Sequence, residues 1–183
     1  KTVIISQLAE YLAKSGKRVL LVDADLRKGD LSKLFPKNQI SVGLGDLLRN
    51  ETQFVSIESI PIAHLAKFGE GFVDLLPAGR SGGDAGEVIS KDKFSQIIGV
   101  FKKDDRYDYI LIDTPPTQEI PDTFSIVNDT DGMVVVVETN KTPFNHLLKI
   151  CNEATLEDFK IIGIVMNRYH ASRSRPYYYA LER

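Results

Sequence analysis

Two short apolar runs each end in acidic residues, and these side chains have the clearest capacity for chemistry. Residues 19–22 are followed by Asp23 and, after one alanine, Asp25, and residues 109–112 are followed by Asp113. Short continuous apolar runs are typical of parallel strands covered on both faces. Ligands bind at the carboxyl ends of such strands, where three carboxylates could hold a hard cation such as Mg²⁺. The alternative is that these acids cap helices or lie in solvated loops.

The first two residues, Lys1 and Thr2, add a phosphate-binding hypothesis. Lys-Thr closes the pattern G-x-x-x-x-G-K-[ST], in which the lysine reaches the β- and γ-phosphates and the hydroxyl binds Mg²⁺. A following helix would add backbone amide donors and a favourable dipole for anions. The position of this pair, one predicted helix before an acid-ended strand, favours the phosphate-binding interpretation. We expect the glycine-rich part of the pattern to precede Lys1, and the 183 residues alone to lack most of the phosphate cradle.

These residues must be positioned by an alternation of helices and strands. Apolar residues at helical spacing predict three helices, which are centred on residues 3–12, 94–101 and 144–154. Besides the two acid-ended strands, short apolar runs predict strands at residues 72–76, 133–137 and 161–166. Gly16 is placed to end the first helix, and Thr142 to cap the start of the last one. This alternation predicts an α/β fold with a mainly parallel sheet and helices on both faces.

Composition fits one ordinary domain that buries a core. Of the 183 residues, 43% are hydrophobic and 26% are charged, and the formal net charge is -2. Such a balance does not favour nucleic-acid binding, so we expect no nucleic-acid partner. The single Cys151 excludes an internal disulfide and a cysteine-based zinc site. Because no apolar run approaches the roughly 20 residues of a membrane span, we expect membrane contact only through a partner.

Several segments resemble the bacterial tyrosine kinases, or BY-kinases, which are relatives of the partitioning and cell-division ATPases. Residues 22–28 read Val-Asp-Ala-Asp-Leu-Arg-Lys and look like the second acidic motif of that family. Residues 113–116, with Asp122 shortly after, resemble its Walker B segment. Further similar segments are residues 42–48, 75–79, 130–132 and 163–167. The sequence departs from the family at Gly29, where a proline is usual, and at residues 80–86, which are normally proline-rich.

The resemblance implies a P-loop NTPase fold of the deviant Walker type that binds ATP and Mg²⁺. Lys1 would neutralise phosphate oxygens, and Mg²⁺ would be held by Thr2, Asp23 and Asp113. Asp25 is then the candidate base that accepts the proton of the substrate tyrosine. We expect the kinase domain to cover residues 1–167.

Three further residues have an expected role, the first of them from the same resemblance. Asn167 matches a position that contacts adenine in this superfamily, with a simple polar strand end as the alternative. Arg27 and Lys28 would contact phosphate or a neighbouring subunit, or are solvated charges.

The C-terminal stretch, residues 168–183, lacks apolar periodicity and is predicted to be a flexible tail. It contains the run Tyr177, Tyr178 and Tyr179, which looks like the autophosphorylated tyrosine cluster of the BY-kinases. The alternative is an aromatic patch packed on the domain or on a partner.

The family implies a ring-shaped homo-oligomer in the cytoplasm, at the inner face of the membrane. A membrane-spanning adaptor of capsular or extracellular polysaccharide export, on the same chain or on a separate one, would attach it there. Two other functions remain open at this point. One is a partner-switching ATPase of the partitioning or cell-division type, which would hydrolyse ATP with water. The other is a non-catalytic, kinase-like scaffold.

Overall fold

A computed structural model describes residues 1–34, 42–49, 57–79, 91–116 and 126–169. The chain forms two compact units, Lys1–Thr130 and Asp131–Arg183. The helices whose full bounds are described in the first unit are α1 (Thr2–Lys14), α2 (Leu44–Arg49) and α3 (Lys91–Lys103), with short 3₁₀ turns at Ser32–Leu34 and Ile57–Ser59. Its strands are β1 (Arg18–Asp23), β2 (Ala63–Phe68), β3 (Gly71–Leu76) and β4 (Tyr109–Asp113). The second unit contains β5 (Met133–Glu138), α4 (Phe144–Leu156) and β6 (Ile161–Asn167).

The sheet of the first unit has the strand order β2-β3-β1-β4. β1 pairs in parallel with both β3 and β4, as the apolar runs predict. β2, which the sequence analysis missed, pairs antiparallel with β3 at the edge of the sheet. Gly69 lies in the two-residue turn between them with φ 64°, a conformation that glycine adopts without strain. The sheet is therefore mostly parallel, with one antiparallel edge strand.

Helices cover both faces of this sheet, and β1 contributes to two separate cores. Leu20 and Val22 pack in one cluster with Phe94 of α3. Val19 and Leu21 pack in the other cluster, which includes Ala9 and Ala13 of α1. Because successive side chains of a strand point to opposite faces, this division places α1 on one side of the sheet and α3 on the other. The predicted layered α/β architecture is confirmed within this unit.

The second unit is a β-α-β arrangement in which β5 and β6 pair in parallel. Val135 of β5 and two residues of α4, Ile150 and Ala154, are buried in it. The helix starts one residue later than predicted, because Pro143 and not Thr142 is its N-cap. The hydroxyl of Thr142 instead accepts a hydrogen bond from the Glu138 amide at 2.9 Å. In the part of the chain that is described, no helix has both the length and the apolar character to cross a bilayer.

Candidate active site

The two acid-ended strands lie next to each other and end at the same level. Asp23 of β1 is in register with Asp113 of β4, and the Ala24 amide donates to the Asp113 carbonyl at 2.9 Å. Parallel neighbours in register direct equivalent side chains to the same side of the sheet. Asp23 is 0% exposed and Asp113 is 5% exposed, so two carboxylates are buried side by side at the carboxyl end of the sheet.

Lys1 and Thr2 lie at this same end of the sheet. The Thr2 hydroxyl donates to Oδ2 of Asp113 at 2.7 Å. The Lys1 ammonium donates to the carbonyl oxygens of Thr114 and Pro115, at 2.8 Å and 2.6 Å. Helix α1 begins at Thr2 and has no side-chain cap at its N-terminus. The start of α1 therefore places a cation and a hydroxyl beside the acidic end of β4.

Ser32 holds Asp23 through one of its two carboxylate oxygens. Oδ2 accepts hydrogen bonds from the Ser32 amide at 2.8 Å and from the Ser32 hydroxyl at 2.6 Å. Oδ1 is buried and has no hydrogen-bond partner. A buried carboxylate oxygen without a partner is costly, and such an atom is often completed by an ion.

Burial dominates the electrostatics of both carboxyl groups. Burial raises the pKa of Asp23 to about 6, and the hydrogen bonds from Ser32 oppose that rise while the charge of Asp113 adds to it. Burial also raises the pKa of Asp113, against the hydrogen bond from Thr2 and the positive charge of Lys1. Protein contacts therefore only partly offset the cost of ionising these two buried carboxyl groups, and a bound cation would reduce that cost.

Asp25 lies in a tight turn immediately after β1. Its Oδ1 accepts from the Lys28 amide at 3.1 Å, and its carbonyl accepts from the Gly29 amide at 2.7 Å. Gly29 has φ 54°, in the left-handed region that favours glycine. This geometry explains the departure from proline at position 29, because proline has a fixed φ near −65° and no amide hydrogen.

Ser32 also connects Asp23 to the loop that follows β3. The Ala78 amide donates to the Ser32 hydroxyl oxygen at 3.0 Å. Carbonyl oxygens of the same loop accept hydrogen bonds from the start of α2, from Leu44 to Pro77 at 2.7 Å and from Gly45 to Ala78 at 2.9 Å. Sequence reasoning missed Ser32, because a lone serine nine residues beyond Asp23 forms no recognisable pattern.

The close approach of α2 to this loop depends on glycine. A β-carbon at Gly43 would overlap the Pro77 carbonyl oxygen and the backbone of Gly79. Gly43 also donates its amide to Oδ2 of Asp46 at 2.9 Å, which fixes the start of α2. The glycine-leucine segment at residues 42–48 therefore supports the loop that carries Ala78.

The donor set fits Mg²⁺ when water and phosphate oxygens complete the shell. Across the described residues, no three His, Cys, Asp or Glu side chains form a metal-binding group, so Asp25 does not join Asp23 and Asp113 in a cluster of three carboxylates. The set of Thr2, Asp23 and Asp113 expected from the resemblance stays a prediction. The available oxygens are those of Thr2, Asp113 and the unpartnered Oδ1 of Asp23. Mg²⁺ typically uses one or two carboxylates, several waters and substrate phosphates. A hydroxyl with two carboxylates therefore matches this ion.

The remaining predictions concern a residue of the second unit and residues that the structure does not describe. Asn167 ends β6 in the second unit, where its Oδ1 accepts from the Arg168 amide at 2.9 Å. Asp122, residues 80–86 and the tyrosine run 177–179 lie outside the described residues. Their roles, including that of Asn167, stay predictions.

Comparison with known proteins agrees with this geometry. The family described as "AAA domain" matches residues 1–156. The tyrosine-protein kinase wzc of Salmonella typhimurium is 34% identical over 172 residues, which cover 91% of this chain and 22% of that protein. The putative tyrosine-protein kinase CapB of Staphylococcus aureus is 27% identical over 182 residues, covering 98% of this chain and 74% of that protein.

Solved structures show the same fold. The crystal structure of the chimerical protein CapA2B2 has a TM-score of 0.73 and 26% identity, and the match covers 92% of this chain and 70% of that one. The MinC:MinD cell division protein complex of Aquifex aeolicus has a TM-score of 0.74 at 24% identity, over 92% of this chain and 64% of that one, which shows the fold alone. The chain therefore belongs to the AAA domain family, as a P-loop domain of the type found in the bacterial tyrosine kinases.

Proposed function

We propose that this chain is the catalytic domain of a bacterial tyrosine autokinase that transfers phosphate from ATP to its own Tyr177, Tyr178 and Tyr179. The observation that carries the proposal is the convergence of Thr2, Asp23 and Asp113 at the ends of α1, β1 and β4. Phosphoryl transfer depends mainly on positioning and on neutralising charge, and these residues lie where both would occur. The kinases among the relatives support tyrosine as the acceptor.

The residues at this end of the sheet have two kinds of role in the proposed reaction, phosphate contact and metal binding. Lys1 moves from the Thr114 and Pro115 carbonyls to the β- and γ-phosphate oxygens. Thr2, Asp23 and Asp113 would hold Mg²⁺, directly or through water. When bound, Mg²⁺ neutralises the charge of the phosphates.

Asp25 accepts the phenolic proton as the tyrosine oxygen bonds to the γ-phosphorus. The bond from that phosphorus to the oxygen bridging to the β-phosphate breaks, and ADP leaves. A phenol has a pKa of about 10, so a carboxylate base aids attack at neutral pH.

The proposed assembly extends beyond the residues described. This chain spans 22% of the length of the Salmonella kinase, so partners and location come from analogy. In the proposal, subunits form a ring in which one tail enters a neighbouring active site. The ring lies in the cytoplasm at the membrane, on a membrane-spanning adaptor of polysaccharide export.

The direct test is phosphate transfer to the tail. The full-length protein is incubated with labelled ATP and Mg²⁺, and the C-terminal peptide is analysed by mass spectrometry. We expect phosphate on Tyr177, Tyr178 or Tyr179, and we expect none in Asp113→Asn. ATP turnover with an unmodified tail would identify the partner-switching ATPase, and neither signal would identify a scaffold; both results contradict the autokinase.

Replacing Asp25 with asparagine tests the proposed base. Asparagine keeps a side-chain oxygen that can accept from the Lys28 amide, so the turn is preserved while the base is lost. We expect transfer to the tail to fall at least about 100-fold, as is usual for loss of a general base, with nucleotide binding unchanged.

Asp30→Asn is the matched control, because Asp30 belongs to the same turn region but pairs with Lys33 on the surface. It should leave transfer unchanged. Full transfer activity in Asp25→Asn would remove Asp25 from the base role.

A further inference from the structure

We propose that Ser32 is a positioning residue that orients Asp23 so that one carboxylate oxygen faces the cation site. This inference rests on the proposed use of Mg²⁺ with nucleotide at this site. It does not depend on whether tyrosine or water receives the phosphate. Ser32 is 9% exposed and lies nine residues after Asp23, at the start of a 3₁₀ turn.

The direction of each hydrogen bond is fixed by the donors available. The Ala78 amide can only donate, so the Ser32 hydroxyl oxygen is its acceptor. The single hydroxyl proton of Ser32 is then free to point to Asp23, which it contacts at 2.6 Å. The Ser32 backbone amide donates to the same carboxylate oxygen at 2.8 Å. Two donors thus converge on Oδ2 of Asp23.

This convergence leaves Oδ1 of Asp23 as the oxygen that can bind an ion. It is buried and has no hydrogen-bond partner. Two hydrogen bonds to one oxygen restrict rotation of the carboxylate, so the other oxygen keeps a defined direction. Residues that hydrogen-bond to metal-binding carboxylates typically change metal affinity about 10- to 100-fold when they are lost.

Ser32 is itself held by a rigid neighbour. The loop that contains Ala78 accepts two backbone hydrogen bonds from the start of α2, at Leu44 and Gly45. Because Gly43 and Gly79 allow close backbone contact, this loop has little room to shift. The chain of contacts from α2 through Ala78 and Ser32 to Asp23 sets the position of the carboxylate before any ligand binds.

The matched control is a second serine-aspartate hydrogen bond in the same unit. The Ser95 hydroxyl of α3 donates to Oδ2 of Asp129 at 2.6 Å, the same length as the Ser32–Asp23 bond. Ser95→Ala removes a comparable contact from a residue with no role in the proposed site. A loss of Mg²⁺ affinity that occurs in Ser32→Ala but not in Ser95→Ala therefore indicates that Ser32 positions Asp23. It would not be explained by a general loss of rigidity on removing a serine hydroxyl from this unit.

The experiment measures binding of a fluorescent ADP analogue to the full-length protein during a Mg²⁺ titration, and again in EDTA. For Ser32→Ala, we expect the apparent Mg²⁺ affinity to fall about 10-fold, with unchanged nucleotide affinity in EDTA. Ser32→Thr keeps the hydroxyl and should restore the Mg²⁺ affinity to within about 3-fold of the wild type. If Ser32→Ala does not fold, Ser32→Cys carries the test, because its thiol is a weak donor and should also lower the affinity.

Three results would overturn this inference without overturning the proposed function. The folded Ser32 variant could bind Mg²⁺ as tightly as the wild type, or Ser95→Ala could lose as much Mg²⁺ affinity as the Ser32 variant. The Ser32 variant could also lose nucleotide affinity equally with and without Mg²⁺. A wild-type protein whose nucleotide binding ignores Mg²⁺ would instead overturn the proposed function, and this inference would fall with it. The two failures are therefore distinguishable.

Discussion

Replacing Asp23 with asparagine is expected to abolish Mg²⁺-dependent phosphoryl transfer while making the metal-free protein more resistant to heat. Asparagine keeps an oxygen that can accept both hydrogen bonds from Ser32, so the local structure is retained. The negative charge that would hold the cation is lost. Metal ions contribute several kcal/mol to transition-state stabilisation, so we expect transfer to fall at least about 100-fold.

The gain in stability follows from the buried charge at Asp23. Its pKa is raised from 3.8 to about 6 in the folded protein, so the folded state binds the proton more tightly than the unfolded state. The stability that this carboxyl group contributes when protonated is fully present below pH 3.8 and is lost as the pH rises through about 6. At pH 8 the ionised group costs roughly 3 kcal/mol, by the usual conversion of a two-unit shift. Asparagine carries no such cost.

Thermal unfolding in EDTA measures this effect. We expect Asp23→Asn to unfold at a higher temperature than the wild type at pH 8, with a smaller difference at pH 5. Mg²⁺ with nucleotide should stabilise the wild type more than the variant. Asp108→Asn is the control, because the hydrogen bond and charge of Arg18 lower the pKa of Asp108. Removing the Asp108 carboxylate should therefore not stabilise the protein. A lower unfolding temperature for Asp23→Asn at pH 8 would contradict the buried-charge argument.

Phe94→Ala is expected to be among the most destabilising single changes in the first unit. Phe94 is 0% exposed and packs in the cluster with Leu20 and Val22 of β1, beneath the acidic strand end. Removing a fully buried phenylalanine side chain costs about 3–5 kcal/mol, because apolar burial is lost and a cavity remains. Such a loss is a large fraction of the stability of an ordinary domain.

Urea unfolding followed by circular dichroism measures the Phe94 effect, with Phe144→Ala as the matched control. Phe144 is 69% exposed at the start of α4, so its removal should change the free energy of unfolding by no more than about 0.5 kcal/mol. A cost below about 1 kcal/mol for Phe94→Ala would show that the cluster repacks around the gap, contrary to this expectation.

The strands that carry the site were predictable because their apolar runs are continuous. The run at residues 19–22 is buried on both faces, as a central parallel strand requires. β2 was missed because it is an edge strand in which His64 and Lys67 interrupt the apolar residues without a regular period, and its pairing shifts register between His64 and Ala66. The turn at Gly69, between two runs of strand-forming residues, is the signal that would have found it. Gly16 is confirmed at the end of α1, with φ 82°.

The proximity of Asp23 and Asp113 was predictable from the sequence, but the hydrogen bonds from Ser32 that hold Asp23 were not. Asp23 and Asp113 are the last residues of adjacent parallel strands, so strand register alone brings them together. Ser32 reaches Asp23 only because a turn and a 3₁₀ segment fold back over the sheet, which no periodic pattern records. Thr142 shows a similar limit at a helix start, since its hydroxyl bonds to Glu138 and Pro143 becomes the cap.

The glycine at position 29 has a consequence for protein engineering. Designers often stabilise a protein by installing the residue that most of its relatives share, and here that rule would select proline. Proline would impose a negative φ where the backbone has 54° and would delete the amide that bonds to the Asp25 carbonyl. A consensus library for this protein should therefore exclude position 29, because the turn after β1 needs both the positive φ and the amide of Gly29.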